Sequence, residues 1–444
     1  MSILPQVIFF LIFAATGYVL YRRISFLKRN IMLGKKEERN DQPADRWKTM
    51  LLVAFGQQKM FKRWLPAFLH FLVYAGFIII NLEVAEFIID GFTGHHRIFA
   101  PFLGGFYTFA MNAFEFLAVA VLVACVVFLI RRNITKVPRL SMKELKGWPA
   151  MDANLILIIE ICLMMAILKM NAADQILASR GVEHYTQLGT LFFSSLLTPI
   201  LEGFSTPFLV FTERAAWWFH IVGILGFAIY VTYSKHLHIF LAFPNTWYTR
   251  LKPKGEMANM PEVTNEVNMM LGIPTEGSNE PPAEIGRFGA KDINDLSWIN
   301  LMNAYSCTEC GRCTAECPAN LTGKKLSPRK IMMDVRDRAE EVGKSLDAGG
   351  KGLEDGKSLL GDYTTAEEIN ACTSCNACVE ACPVNIDPLS IILQMRRYVA
   401  MEESGSPAQW NAMFQNMETS FSPWKFAPTD RFNWADSVKD EEMK

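Results

Sequence analysis

Eight of the ten cysteines fall into two identical runs in the second half of the chain. Each run reads Cys-x-x-Cys-x-x-Cys-x-x-x-Cys-Pro. In bacterial ferredoxins with this spacing, three close thiolates bind one 4Fe–4S cluster and the fourth binds the neighbouring cluster. The runs therefore predict two crossed ligand sets, which are Cys307, Cys310, Cys313 and Cys382 for the first cluster and Cys372, Cys375, Cys378 and Cys317 for the second.

Structural zinc is the main alternative for these cysteines. Zinc sites usually pair two separated Cys-x-x-Cys units, whereas each run here holds four cysteines and ends in proline. The spacing therefore favours iron–sulfur clusters. Disulfides are disfavoured by the same spacing and by the intracellular location that the charge pattern predicts.

The rest of the 444-residue chain, whose net charge is −1, must position these cysteines. Residues 1–245 carry long apolar runs separated by basic loops, and residues 250–444 are polar. Residues 186–211 are apolar but interrupted by Pro199 and Pro207, which predicts a broken helix at the outer membrane surface. A membrane-spanning helix needs about 20 apolar residues. Five segments meet this requirement, at 3–21, 65–89, 107–130, 153–170 and 215–242.

The basic loops predict the orientation, because cytoplasmic loops are enriched in lysine and arginine. Residues 22–63 contain 12 Lys and Arg and residues 131–147 contain six, whereas residues 90–106 contain only Arg97. We therefore expect a multi-pass protein of the bacterial cytoplasmic (inner) membrane. Its N-terminus is expected outside, and the cysteine runs are expected in the cytoplasm.

Three of the seven histidines lie within the apolar segments, where buried ionisable residues usually have a function. His220 and His238 are 18 residues apart, so a continuous helix would place them on one side, about 27 Å apart. His70 lies at the cytoplasmic end of the second segment, level with His238. Because imidazole is a common axial ligand of haem iron, His70 and His238 are predicted to hold one haem b.

A second haem would use His220, toward the outer surface of the membrane. Its partner would be His95, His96 or His184, all of which lie outside the regular spans. Local hydrogen bonding at the membrane surface is the simpler role for these three residues. The sequence leaves the second haem as an open alternative.

Carboxylates within the spans are further candidates. Intramembrane carboxylates can carry protons or bind a quinone hydroxyl, and Glu160 and Glu86 are the candidates for such a site. Hydrogen bonding between helices is the alternative role. Cys125 and Cys162 lie within spans and are interpreted as small apolar residues.

The soluble half is predicted to be an α-helical ferredoxin rather than the small ββ type, because 54 residues separate the two runs. Ser327-Pro328 and Asp387-Pro388 are typical helix starts. The end of the chain carries seven large aromatic residues, too many for simple disorder, so we expect it to dock on a partner. The predicted domains are a transmembrane haem b domain at 1–245, a linker at 246–290, a ferredoxin domain at 291–402 and an aromatic tail at 403–444.

Residues 60–250 resemble the haem b gamma subunit of respiratory nitrate reductase. That family holds two haems with two histidines of its last helix, 18 residues apart, and two of its second helix, ten apart. The position ten after His70 is Ile80 here, so this resemblance lacks one ligand of the outer haem. The matching residues are His70, His220, Ser234, Lys235 and His238.

Residues 290–400 resemble the small iron–sulfur subunit of heterodisulfide reductase, through Cys307-Thr-Glu-Cys-Gly-Arg-Cys313 and Cys372-Thr-Ser-Cys-Asn-Ala-Cys378. The whole chain resembles the membrane and ferredoxin part of heterodisulfide-reductase-like iron–sulfur oxidoreductases. Longer members carry a catalytic domain with CCG motifs, and no CCG tripeptide occurs here. The resemblance implies a catalytic site on a separate cytosolic chain, either a CCG-motif iron–sulfur protein or a flavoprotein. Related membrane oxidoreductases link electron-transfer flavoprotein to menaquinone.

Together these features predict an all-α protein, a five-helix transmembrane bundle fused to a cytoplasmic α-helical ferredoxin domain with two 4Fe–4S clusters. Its expected function is electron transfer between the quinone (menaquinone) pool in the lipid bilayer and a cytosolic redox partner, as a subunit of an oxidoreductase. The alternatives are a redox sensor and a membrane anchor without quinone chemistry. No basic patch points to nucleic acid.

Overall fold

The computed structural model describes residues 3–273 and 287–442, so residues 274–286 of the predicted linker lie outside the described part. Within these two ranges the protein is helical and has isolated β-bridges but no strand. The membrane half contains α1 (Leu4–Ile31), α2 (Pro43–Met50), α3 (Trp64–Thr93), α4 (Ala100–Leu103), α5 (Gly105–Leu129), α6 (Trp148–Ser179), α7 (Thr198–Leu201), α8 (Thr206–Val231) and α9 (His238–Trp247).

Five of these helices are long and apolar enough to cross a membrane, which confirms the number predicted from the sequence. They are α1, α3, α5, α6 and α8. Large apolar side chains such as Phe10, Phe109 and Phe116 are exposed on the outside of the bundle. Exposed apolar surface on this scale indicates contact with lipid.

The last apolar segment is not one helix over 215–242, as the sequence predicted. Instead α8 ends at Val231, a 3-10 turn follows at Lys235–Leu237, and α9 begins at His238. The backbone is extended at Ser234, whose hydroxyl accepts a hydrogen bond from the N–H of His236. This side-chain bond competes with the helical pattern and ends the helix. His220 and His238 therefore lie on different helices.

The segment at 186–211 is broken, as its prolines predicted. It contains a 3-10 turn at Ser194–Leu196 and the single turn of α7. The fifth span begins earlier than expected, at Thr206, because Pro207 occupies the first turn of α8. Proline is tolerated there, since the first turn has no intrahelical partner for its N–H.

The bundle packs closely at two glycines. A Cβ on Gly76 of α3 would lie 2.5 Å from Val121 of α5, and one on Gly223 of α8 would lie 2.8 Å from Leu163 of α6. Small residues let membrane helices approach closely, and van der Waals contact then holds them together. The approach of α8 to α6 fixes the depth of His220.

The soluble half is built from short helices whose starts the sequence specifies. Ser327 caps α14 and Asp387 caps α17, which confirms both predicted starts. Side-chain caps satisfy the free N–H groups of the first turn. The helices are α10 (Pro261–Met270), α11 (Trp298–Tyr305), α12 (Arg312–Ala315), α13 (Pro318–Leu321), α14 (Pro328–Asp347), α15 (Ala366–Asn370), α16 (Ala377–Ala381), α17 (Pro388–Met401), α18 (Ala408–Ser420) and α19 (Asn433–Glu442).

The two halves share a core. Leu27 and Ile31 at the end of α1 pack in the same apolar cluster as the residues of α11 and α14. Arg23 forms a largely buried ion pair with Glu340 of α14 at 2.7 Å. Asn30, fully buried, donates to the Tyr305 hydroxyl at 3.1 Å. These contacts hold the ferredoxin part against the end of the membrane bundle.

The aromatic tail lies outside this core. Helix α18 buries none of its residues. Trp410, Phe414 and Trp424 are all exposed. The expectation that the tail docks on a partner stays a prediction.

Arg338 provides a stability test for the soluble half. Its fully buried guanidinium pairs with Asp292 at 2.8 Å and with Asp355 at 2.5 Å. An Arg338→Met variant leaves the Asp292 and Asp355 carboxylates with backbone N–H donors but no opposite charge, so the free energy of unfolding is expected to fall by about 3–5 kcal/mol. The control is Lys357→Met, which removes an exposed pair with Glu341 and is expected to cost less than about 1 kcal/mol. Denaturant unfolding followed by circular dichroism measures both; equal losses would contradict the prediction.

Candidate redox site

The first cysteine site is a cavity between α12, α14 and the loop after α16. Gly311 (φ +71°) allows the sharp turn within the first run, because a Cβ there would lie 2.8 Å from the carbonyl oxygen of Arg139. Cys382, from the second run, reaches this cavity from the end of α16. The thiols of Cys307, Cys310, Cys313 and Cys382 line it together with Met332, Val384 and Ile386.

Burial controls the chemistry of these thiols. It raises the pKa of Cys307 to about 12, and the neighbouring Cys310 and Cys382 add to the effect. It also raises the pKa of Cys382 to about 11, although the hydrogen bond that Ile386 N–H donates to the Cys382 sulfur at 3.3 Å lowers that pKa. A thiolate in this setting requires a compensating positive charge, which a bound metal centre supplies.

The second cysteine site lies beside α15, α16 and α17. Burial raises the pKa of Cys378, and the nearby Cys372 and Cys317 sulfurs raise it further. Cys375 is exposed, whereas Cys317 and Cys378 are buried. The two runs therefore exchange their fourth cysteines in space, with Cys382 in the first site and Cys317 beside the second.

This geometry fits clusters better than a single metal ion. Within residues 3–273 and 287–442, no three His, Cys, Asp or Glu side chains converge as ligands of one ion. A 4Fe–4S cluster takes one thiolate for each of its four irons, so the sulfurs surround a cavity rather than meet at a point. Four thiols around one cavity are the arrangement that a cluster requires.

His70 and His238 face each other at the end of the bundle that lies toward the first cysteine site. Their ring centroids lie 6.4 Å apart, and the rings are inclined by 41°. An iron atom bound to two imidazoles by bonds of about 2 Å would set the ring centres about 6 Å apart. His70 Nδ1 bonds Gln57 Oε1 at 3.1 Å, and His238 Nδ1 donates to the Lys235 carbonyl at 3.2 Å. Both Nε2 atoms remain for a metal, so the pair fits a haem.

Gln57 is a residue that the sequence did not single out. It is 5% exposed and its backbone is left-handed, with φ +50°. This conformation is uncommon outside glycine and concentrates at functional positions. No pattern in the sequence identifies it, because its role depends on where the loop before α3 places the side chain.

The same loop connects the His70 pair to the first cysteine site. Arg312, within the first cysteine run, donates to the carbonyls of Lys59 and Met60, each at 3.3 Å. Gln57 stands two residues before Lys59 and bonds His70. A short chain of contacts therefore joins the first cysteine site to the histidine pair.

Lys235 joins the helix break to the first cysteine run. Its ammonium lies 2.5 Å from Glu309 Oε2 and donates to the Pro149 carbonyl at 2.7 Å. Lys235 is 8% exposed and Glu309 is 4% exposed. Because the Lys235 carbonyl also accepts from His238, this ion pair sets the position of that histidine relative to the cysteines.

His220 stands apart from the other histidines. Its Nδ1 donates to the Leu163 carbonyl at 3.0 Å, and its ring packs edge-on against Phe87 at 5.7 Å. Its Nε2 is buried and has no hydrogen-bond partner in the described part of the chain. The Nδ1 hydrogen bond thus fixes the orientation of the ring, and Nε2 has no partner among the described residues.

The second haem stays an untested alternative, and the structure shows what its three possible partners for His220 contact instead. Both ring nitrogens of His96 are occupied, by Asp174 and by Arg214, each at 3.1 Å. His184 stacks on His96 with centroids 5.4 Å apart, and His95 is exposed. Of the three, His96 contacts both α6 and α8, through Asp174 and Arg214.

The two candidate carboxylates differ. Glu86 accepts hydrogen bonds from the Tyr107 hydroxyl at 2.5 Å and from Phe99 N–H at 3.0 Å, so it anchors the outer loop. Glu160 is half-buried on α6, and its carboxylate makes no hydrogen bond to another described residue. Of the two, Glu160 alone is available to a ligand.

Arg97 holds together the loop between α3 and α5. The sequence showed it only as the one lysine or arginine of residues 90–106, which does not predict this role. It is 1% exposed and pairs with Asp174 and Asn171 of α6, each at 2.6 Å. Its backbone N–H bonds Asp90 at 2.7 Å. Buried charges need such partners, and the cluster fixes the loop before α5.

Comparison with known proteins supports the iron–sulfur interpretation. A family model described as a 4Fe–4S dicluster domain matches residues 306–386, which contain both cysteine runs. No solved structure matches the chain. The protein therefore carries an iron–sulfur domain.

Three relatives illustrate the similarity. The probable iron–sulfur-binding oxidoreductase FadF of Bacillus subtilis is 28% identical over 96% of this chain and 61% of its own length. The EtfAB:quinone oxidoreductase of Syntrophomonas wolfei is 28% identical over 93% of this chain and 57% of its own. One component of the dihydromethanophenazine:CoB–CoM heterodisulfide reductase of Methanosarcina mazei is 26% identical over 32% of this chain and 35% of its own.

These matches confirm the resemblance to heterodisulfide-reductase-like iron–sulfur oxidoreductases. The chain spans about 60% of the length of the first two relatives. The chain is homologous to iron–sulfur oxidoreductases, and five of its helices are able to cross a membrane.

The crossing of the cysteine runs can be tested with Cys382. A Cys382→Ala variant removes a ligand of the first site, so cluster iron is expected to fall by about half. Cys162→Ala, which changes an exposed thiol within a span, is the control and is expected to retain all iron. Iron analysis with EPR of the reduced protein measures both. Unchanged iron in Cys382→Ala would contradict its role as a ligand, and loss of the EPR signal that Cys372→Ala removes, rather than the signal that Cys307→Ala removes, would contradict the crossed ligand set.

Proposed function

We propose that this iron–sulfur protein is the electron-transfer subunit of a membrane redox complex, which passes electrons between the quinone pool and a cytosolic partner. Electrons would travel through a haem b held by His70 and His238 and through two 4Fe–4S clusters. The first cluster uses Cys307, Cys310, Cys313 and Cys382, and the second uses Cys372, Cys375, Cys378 and Cys317.

One observation carries this proposal. The facing His70 and His238 rings, with both Nδ1 atoms engaged, stand at the point where the membrane bundle meets the first cysteine site. A sensor does not need a metal ligand pair between its clusters and the bilayer, and an anchor needs no metal at all. The contact through Arg312, Lys59 and Gln57 supports an electron path between the two centres.

Quinone exchange supplies the membrane end of the path. Haem provides one-electron transfer when bound, whereas quinone reduction takes two electrons and two protons. Within the span of α6, Glu160 has a carboxylate without a partner among the described residues, so it is the proposed proton donor or acceptor. Glu86 is engaged with Tyr107 and is not proposed for this role.

The cytosolic end would meet a separate redox protein. The relatives named above include an EtfAB:quinone oxidoreductase and a heterodisulfide reductase component, which supports a flavoprotein or a CCG-motif iron–sulfur protein as the partner. The exposed Cys375 offers the second cluster to such a partner. The basic loops support an orientation with the N-terminus outside and the ferredoxin part in the cytoplasm of a bacterium.

The histidine pair is tested by removing one ligand. His70→Ala is expected to abolish the b-type α-band in the reduced-minus-oxidised spectrum, because one axial bond is lost and Gln57 loses its partner. His95→Ala, at an exposed position, is expected to retain the band. Full haem content in His70→Ala, measured by pyridine haemochrome, would refute the proposed ligand pair.

Quinone chemistry is tested separately. The purified chain, chemically reduced under anaerobic conditions, is expected to be re-oxidised by a menaquinone analogue, and Glu160→Gln is expected to slow this at least several-fold. Glu202→Gln, in the outer loop, is the control. A haem and clusters that stay reduced with the analogue present would favour the sensor or anchor alternative.

A further inference from the structure

Three basic residues surround the first cysteine site without an acidic partner. They are Arg312 of the cysteine run and Lys59 and Arg139 of the two cytoplasmic-side membrane loops. None of them forms an ion pair with a carboxylate in residues 3–273 or 287–442. Charges held away from water cost free energy unless an opposite charge compensates them.

Arg312 is the most deeply placed of the three. It is 5% exposed, and its guanidinium bonds only the carbonyls of Lys59 and Met60. Arg312 also lines the cavity that the four thiols share, so its charge lies between that cavity and the loop that leads to His70.

Lys59 and Arg139 contact the segments that carry Cys382 and Cys310. Lys59 donates to the Asn385 amide oxygen at 2.9 Å and to the Val379 carbonyl at 3.3 Å. Arg139 donates to the Cys310 carbonyl itself. All of these acceptors are neutral, so each cation still lacks a counter-charge.

Other charges near the site are already balanced. Arg329 pairs with Glu144 at 2.7 Å. Glu309 pairs with both Lys235 at 2.5 Å and Arg336 at 2.8 Å, and these two cations also meet Asp152 at 3.8 Å and Asp337 at 3.3 Å. Arg312, Lys59 and Arg139 are therefore the cations that act directly on the cysteines of the first site and form no ion pair within the described residues.

The second site has a different environment. Arg396 is the cation at its edge, where it donates to the Cys372 carbonyl and to the Ser374 hydroxyl. Asp387 lies near Cys378 and opposes added negative charge there. One arginine and one aspartate leave this site without the excess of cations that the first site has.

Building on the proposed function, we infer that Arg312, Lys59 and Arg139 make the cluster of the first site the centre of higher reduction potential. An electron added to a cluster increases its negative charge, and nearby cations stabilise that state. The three residues are positioning and tuning residues, not ligands. They set the order of the path, with entry at the second site and the first site next to the histidine pair.

Water also stabilises a reduced cluster, so solvent at the second site raises its reduction potential toward that of the first. It reaches the second site on one side only, since Cys375 is exposed while Cys317 and Cys378 are buried. Three uncompensated cations outweigh this partial contact, because charges act strongly across a water-poor interior. In the transfer itself, one electron leaves the second cluster and one reaches the first, without a bond being made or broken. The cytosolic donor supplies the electron.

A redox titration followed by EPR tests the inference on the full chain in detergent. Arg312→Gln and Lys59→Gln are each expected to lower the potential of the higher-potential cluster signal and to leave the other signal in place. Arg396→Gln is the matched variant at the second site and is expected to lower the lower-potential signal alone. Arg312→Lys keeps the charge and is expected to restore most of the potential. Iron content of each variant confirms that both clusters are retained.

The outcomes separate this inference from the proposed function. The inference would be overturned if Arg312→Gln and Lys59→Gln leave the potentials of both cluster signals unchanged, or if they shift only the lower-potential signal. Either result would leave the proposed function intact. If Arg312→Gln does not fold, the result with Lys59→Gln decides between these outcomes, because Lys59 lies on a loop and is only half-buried. Fewer than two cluster signals in the unsubstituted chain would overturn the proposed function, and the inference with it.

Discussion

The buried ion pair between Lys235 and Glu309 is the interaction on which the arrangement of the redox site depends. Lys235 is drawn out of the helical path toward Glu309 and the Pro149 carbonyl, and the last membrane helix ends before it. Its own carbonyl then receives His238. Buried ion pairs contribute little net stability, but they specify geometry, because either charge alone would be costly. Here the pair aligns the end of the membrane bundle with the first cysteine run.

Buried contacts also set the position of the membrane half relative to the soluble half. The end of α1 enters the core of the ferredoxin part through Leu27 and Ile31, and Arg23 pairs with Glu340. The two loops that the sequence marks by their basic residues contact the segments that carry the cysteines, through Lys59 and Arg139. Positive charge at these positions favours the thiolate form of nearby cysteines. The membrane half is part of the redox site and does more than hold it at the bilayer.

Much of the fold could be predicted from the sequence because its signals are local. Apolar length predicted five spans, and the Ser327-Pro328 and Asp387-Pro388 pairs predicted the starts of α14 and α17. The break after Val231 could not be predicted in this way, since residues 215–242 are apolar enough to continue as a helix. What ends the helix is a bond from His236 N–H to Ser234 and a partner for Lys235 that lies 74 residues along the chain. Contacts over such a separation leave no periodic pattern in the sequence.

The sequence by itself determined the chemistry: cysteine spacing specified iron–sulfur binding, and hydropathy specified a membrane half, because both depend on residue type and short-range order. The tertiary structure decided which groups meet. It brought Cys382 to the first cysteine cavity and set the His70 and His238 rings 6.4 Å apart. It also engaged both ring nitrogens of His96 with other groups, since Asp174 of α6 and Arg214 of α8 bond them. These pairings depend on where loops place single side chains, which packing between distant segments controls and local sequence does not.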